Sequence, residues 1–177
     1  MIPFSVLYDM KIMDMKARKR PSWDEYALML AIDAAERSED PYVQVGACAL
    51  RKDHSVAALG YNGPPSGVSI DWSDRDARRL RIIHAEVNCL GYVHPGECET
   101  IAVNLLPCNA CLTLIARYGI KRIIYRDVYD KDDTTLKLAN EFGIKLIQMS
   151  ATKPQHPHLV HTSWWKRLFT HRGGDDF

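Results

Sequence analysis

The sequence predicts an α/β fold of three layers, α-β-α, with helices on both faces of one mixed five-stranded sheet. Three observations carry that expectation. Apolar residues recur at helical spacing from residue 23, two short apolar runs flank a polar turn shortly afterwards, and from residue 84 onward segments of helix and strand length alternate. A hairpin followed by alternating helices and strands buries its apolar faces by stacking helices on a single sheet. At 177 residues the chain is about the size of one domain.

The elements follow in order. Ser22-Trp23-Asp24-Glu25 has the capping-box pattern, and Trp23, Tyr26, Ala27, Leu30, Ala31 and Ala34 then mark one helical face, which predicts a helix over 23–37 closed by Asp40-Pro41. VGACALR (45–51) and VAALGY (56–61) flank Lys52-Asp53-His54 and read as an antiparallel hairpin. Asn62-Gly63-Pro64-Pro65-Ser66-Gly67 breaks regular structure, and residues 73–81 (SDRDARRLR) are a dense run of charge. A short helix from His84 to about Gly91, a strand at 100–105, a helix from Cys108 to Tyr118 stopped by Gly119, and a strand at 122–125 come next. A helix near 133–142 stopped by Gly143 and a strand at 145–149 complete the sheet. Residues 1–21 read as an N-terminal arm, 22–149 as the folded domain and 150–177 as a C-terminal tail, with a short helix around TSWWKRLF.

Composition narrows the function classes. A net charge of +1 is far from the basic excess that gripping long nucleic acid requires, and no apolar run is long enough to cross a bilayer. The five cysteines are odd in number and irregularly spaced, a poor disulfide framework that fits a reducing, cytoplasmic setting in which paired cysteines hold metal.

Cys108 and Cys111 stand three apart directly after Pro107, at the start of a helix. Both sulfurs can face one ion there, and the positive end of the helix favours thiolates. His84, also at a helix start, supplies an imidazole as third ligand, leaving the fourth position of a zinc ion for water. Glu86 can lean past the same open helix end and move a proton to or from that water. A closed four-ligand site would instead draw on Cys89, Cys98 or His94. The order H-x-E … P-C-x-x-C is the signature of zinc-dependent nucleobase deaminases.

The segments DPYVQVGACAL, GYNGPPSGV, HAEVNCL, LLPCNACLTLI and GIKRIIY, spread over residues 22–149, resemble the deoxycytidylate (dCMP) deaminases. That resemblance implies a cytidine-deaminase-like fold and the hydrolysis of dCMP to dUMP and ammonia, which supplies thymidylate synthesis. It implies zinc on His84, Cys108 and Cys111 with Glu86 as the proton shuttle. Asn62, Ala85 and Tyr129 would contact substrate. Gly60, Tyr61 and Asn62 match a segment that senses dCTP and dTTP, the triphosphate carrying magnesium, in a homohexamer.

One position departs from the pattern. Many relatives place Arg or Lys immediately before the Asp-Pro that precedes Q-V-G-A, where it suits the 5′-phosphate; here that residue is Glu39. The phosphate must then be met by Arg75, Arg78, Arg79, Arg81 or Arg126, or dCTP is a substrate as well. A deaminase of bases within nucleic acid and a non-catalytic zinc-stabilised binding module are the remaining alternatives.

Overall fold

The computed structural model describes residues 20–128 and 133–150. The arm and the tail therefore fall almost wholly outside the described residues, as does the short helix expected around the paired tryptophans.

Helix α1 (Trp23–Ala35) opens on Ser22, whose hydroxyl accepts the Glu25 N–H while the Glu25 carboxylate accepts the Ser22 N–H at 2.6 Å. The expected capping box is present in full. The helix stops two residues short of the expectation, because the N–H groups of Arg37 and Ser38 turn back to the carbonyls of Ala34 and Ala35, a tighter three-residue spacing. Strands β1 (Gly46–Arg51) and β2 (Val56–Tyr61) form the antiparallel hairpin.

Helix α2 (Arg75–Arg81) was not anticipated: the charged run is helical, capped by Asp74, and buries none of its residues. With no apolar stripe to recognise, only the cap marks it. Helix α3 (Ala85–Leu90), strand β3 (Cys98–Leu105), helix α4 (Asn109–Arg117), strand β4 (Arg122–Asp127), helix α5 (Thr134–Glu141) and strand β5 (Lys145–Gln148) follow. Gly119 and Gly143 stop α4 and α5 with φ of 79° and 66°, a left-handed conformation glycine adopts without strain.

The five strands lie in the order β2-β1-β3-β4-β5, with β1 antiparallel to both neighbours and β3, β4 and β5 parallel. Side-chain alternation sorts the core into two halves. Cys48, Leu50, Ala102 and Ile124 pack beneath Leu28, Ala31 and Ile32 of α1. Ala47, Ala49, Ile101, Val103 and Ile123 face the opposite way, under Ala85, Cys89, Leu112, Ile115 and Ala139 of α3, α4 and α5. The three-layer expectation holds. No helix among the described residues is long and apolar enough to cross a membrane.

Because β3 and β4 are parallel, their C-terminal ends lie side by side, with Leu105 opposite Asp127. The chain leaving β3 reaches Pro107 and enters α4 there. Beside it, Gly63, just past β2, bridges to Ile83, which sets the start of α3 at the same end of the sheet. Crevices at strand C-termini are where open α/β sheets bind ligands.

Candidate active site

Helices α3 and α4 start with His84 and Cys108 at their N-cap positions, and neither side chain caps its helix. Both side chains turn instead toward a common point. Nδ1 of His84 lies 3.3 Å from Sγ of Cys111 and 3.6 Å from Sγ of Cys108, and the three ligand atoms all fall within 4.8 Å of one another. In a tetrahedron with Zn–S of about 2.3 Å and Zn–N of about 2.0–2.1 Å, nitrogen and sulfur ligands sit about 3.6 Å apart. The donor set and its spacing therefore fit zinc. Among the described residues these three form the group, and Cys89 and Cys98 lie elsewhere in the core.

Electrostatics point the same way. The Cys108 thiol is drawn down to about 3 by hydrogen bonds from Cys111 and then His84, whereas its bond to Cys108, followed by burial, holds the Cys111 proton on. His84 is raised by its bond to Cys108. Two sulfurs sharing one negative charge is the situation a divalent cation resolves, since it lets both ionise together. The contrast with the core thiols is sharp, because burial pushes Cys48 and Cys89 up to about 12. Those two are small apolar residues in practice.

Glu86 lies in the first turn of α3, only 3% exposed, with its carboxyl beside the Cys111 thiol. Burial raises its pKa above the ordinary carboxylate range. His84 and Cys108 are exposed and Cys111 is buried, so the cluster has an open mouth and a floor made by Cys111 and Glu86. Ala85, between the ligand and the acid, is fully buried.

The remaining sequence candidates are placed unevenly. Asn62 is buried, and its carboxamide accepts the Val45 N–H at 2.8 Å and donates to the Val43 carbonyl at 2.9 Å. That clamp leaves one lone pair and one N–H over. Gly60 sits where a Cβ would come within 2.4 Å of the Cys89 nitrogen and 2.5 Å of the Ala85 carbonyl oxygen, so its bareness is what lets α3 lie against β2. The Tyr61 carbonyl accepts from Asn88 of α3, while its side chain is partly exposed. Tyr129 lies outside the described residues. Arg75, Arg79 and Arg81 are exposed on α2, and Arg126 pairs with Asp127 at 2.8 Å.

One positioning residue escaped the sequence reading. Asn104 of β3 accepts the Gly46 N–H at 2.9 Å and donates to the Gln44 carbonyl at 2.9 Å. Asn62 and Asn104 thus hold alternate peptide groups of residues 43–46 from opposite sides, as neighbouring strands would. An asparagine one residue before the end of an apolar strand was the available signal, because a carboxamide in a buried strand needs partners.

Comparison with known proteins agrees with this geometry. The cytidine and deoxycytidylate deaminase zinc-binding region matches residues 21–127. The deoxycytidylate deaminase of Mus musculus is 34% identical over 137 residues, covering 69% of this chain and 77% of the mouse protein. That of Mycobacterium phage D29 is 38% identical over 124 residues, 60% of this chain and 95% of the phage protein. The crystal structure of the dCMP deaminase from cyanophage S-TIM5 in complex with dCMP and dUMP aligns with a TM-score of 0.64 at 25% identity, covering 75% of this chain and all of that one. With its H-x-E and P-C-x-x-C segments inside the matched region, the chain belongs to the cytidine and deoxycytidylate deaminase family.

Proposed function

We propose that this protein hydrolyses dCMP to dUMP and ammonia, with His84, Cys108 and Cys111 holding zinc and Glu86 carrying the proton. The observation that supports this reading most is the placement of one buried carboxyl against Cys111, at the floor of a three-ligand cluster with an open side. Zinc held there supplies hydroxide at neutral pH, because it brings the pKa of bound water from 15.7 toward ~7.

The chain's own groups do the rest. Glu86 passes on both protons of the attacking water, one to the ring nitrogen N3 and one to the departing amine, so that the 4-oxo product and ammonia form. Burial against Cys111 and α3 keeps that carboxyl in one orientation and away from bulk water. Asn62 holds the wall formed by residues 43–45 and has one donor and one acceptor left for the sugar. Ala85, between His84 and Glu86, belongs to the same reading as a substrate contact. Tyr129 belongs to the same reading as a nucleotide contact.

The test is ammonia release from a panel of dCMP, dCTP, deoxycytidine and CMP, with zinc content measured on the same sample. Wild-type protein should turn over dCMP, and Glu86→Gln should keep its zinc and lose about a thousandfold or more in kcat. Equal rates for the two proteins would reduce the site to a metal-pinned scaffold. Comparable turnover of dCTP would favour the bifunctional reading that Glu39, exposed before Asp40, keeps in play.

The finer part of the reading is a cytoplasmic homohexamer inhibited by dTTP with magnesium and activated by dCTP. It is supported by the Gly60-Tyr61-Asn62 segment lying directly against α3, so that a ligand on β2 would act on the helix bearing Glu86. Rate curves against dCMP that stay hyperbolic and unmoved by either triphosphate would reject it.

A further inference from the structure

Five arginines were open to the 5′-phosphate from the sequence, and the structure separates them. Arg75, Arg79 and Arg81 are exposed, and Arg81 donates to the carbonyl of Ala77 in its own helix. Arg126 donates to the Asp127 carboxylate. Arg78 differs from all four. Its side chain is only 17% exposed, its guanidinium carbon lies 4.0 Å over the Tyr42 ring, and its nearest carboxylate oxygen, Asp40 Oδ1, is 3.7 Å from Nη1.

At 3.7 Å the Asp40 contact is an ion pair without a hydrogen bond. The oxygen concerned is already occupied, accepting the N–H groups of Tyr42 at 2.9 Å and Val43 at 3.2 Å. Among the described residues, the buried Nε of Arg78 has no hydrogen-bond partner. A guanidinium carries five N–H donors in a planar fork, and leaving a buried one unmatched is destabilising. Arg78 is thus held by charge and ring contact, with its Nε donor unspent among the described residues.

Its location connects it to the site. Arg78 sits in the last turn of α2, where its carbonyl accepts the N–H of Ile82, and Ile83 then bridges to Gly63 immediately before His84. Tyr42 and Asp40 begin the loop whose next residues, Val43 and Val45, are clamped by Asn62. The cation therefore adjoins the loop in which Glu39 replaced the basic residue of relatives, and it comes from a different element.

We propose that Arg78 is the residue that recognises the 5′-phosphate of the substrate, its fork meeting two phosphate oxygens as the planar guanidinium does best. The proposal rests on the dCMP reading above and assigns the part of it that sets monophosphate against nucleoside.

The experiment measures kcat and KM for dCMP and for deoxycytidine, and binding of dUMP and of deoxyuridine, on the full chain as wild type, Arg78→Ala and Arg78→Lys. Removing the side chain should raise KM for dCMP and weaken dUMP binding by 10- to 100-fold, while deoxycytidine and deoxyuridine change less than twofold. Arg78→Lys keeps the charge and the anchoring to Asp40, so it should fold even where alanine does not, and should recover part of the loss. Equal losses on nucleotide and nucleoside would mean that Arg78 only braces α2, and unchanged dUMP binding would overturn the assignment outright. A wild-type protein that binds dUMP through Arg78 but leaves dCMP intact would sink the activity and not this residue.

Discussion

Helix α1 on one face of the sheet and helices α3 and α4 on the other begin in opposite ways. Ser22 and Glu25 close the first turn of α1 with a reciprocal pair of hydrogen bonds, and the face below it is plain apolar packing. His84 and Cys108 hold the equivalent positions on the other two helices, make no capping bond, and turn their side chains to each other and to Cys111. A missing cap costs about 0.5–2 kcal/mol, so the second face gives up stability at two helix starts in the same place. What it gains is two positive helix ends and three soft ligands around one point. The candidate metal ligands are marked by the caps that are not made.

The sharpest way to break the comparison is Cys108→Ser. Serine is a good N-cap, so the substitution should convert the start of α4 into the kind of start α1 has. Zinc content should fall to a small fraction of wild type and activity on dCMP by about a thousandfold, since a hydroxyl is a poor substitute for a thiolate. Thermal unfolding of the metal-free proteins should show the variant unchanged or stabilised by up to about 1 kcal/mol. Retained zinc with full activity would remove Cys108 from the ligand set.

Gly60→Ala should come next in size. The added methyl would meet backbone atoms of α3 at 2.4 and 2.5 Å, which no rotamer change can relieve. Displacing α3 should cost about 1–3 kcal/mol in urea unfolding and lower kcat together with zinc affinity, because His84 and Glu86 ride on that helix. A stable variant with altered triphosphate response but normal zinc binding would instead assign Gly60 to effector sensing alone.

Ser22→Ala should have the smallest effect, a loss of about 1 kcal/mol in stability with kcat and KM unchanged. A fall in activity larger than that in stability would mean that the two faces are coupled and the comparison is too simple.

The same contrast explains what could be read from the chain. His84, Glu86, Cys108 and Cys111 were legible because the chemistry demands particular residue types at particular spacings near helix starts. The helices and strands on both faces were legible from periodicity, and their ends moved by one or two residues where local turns tightened, as at Arg37 and Ser38. Helix α2 was illegible because it sends no apolar residue into the core, so no apolar stripe reports it. The double clamp of Asn62 and Asn104 was illegible for a different reason: its partners lie 17 to 60 residues away in sequence, and only the closed sheet brings them together. Arg78 stood out from its neighbours only once Tyr42 and Asp40 were beside it.

The central claim is that one imidazole and two sulfurs leave a place for water beside Glu86, and zinc-edge X-ray absorption on the 177-residue chain tests it most directly. The account predicts two sulfur scatterers at about 2.3 Å and two nitrogen or oxygen scatterers at about 2.0–2.1 Å, with the sulfur count falling to one in Cys108→Ser. A spectrum fitted by three or four sulfurs would contradict it, because a ligand such as Cys89 or Cys98 would then have closed the position the reaction requires.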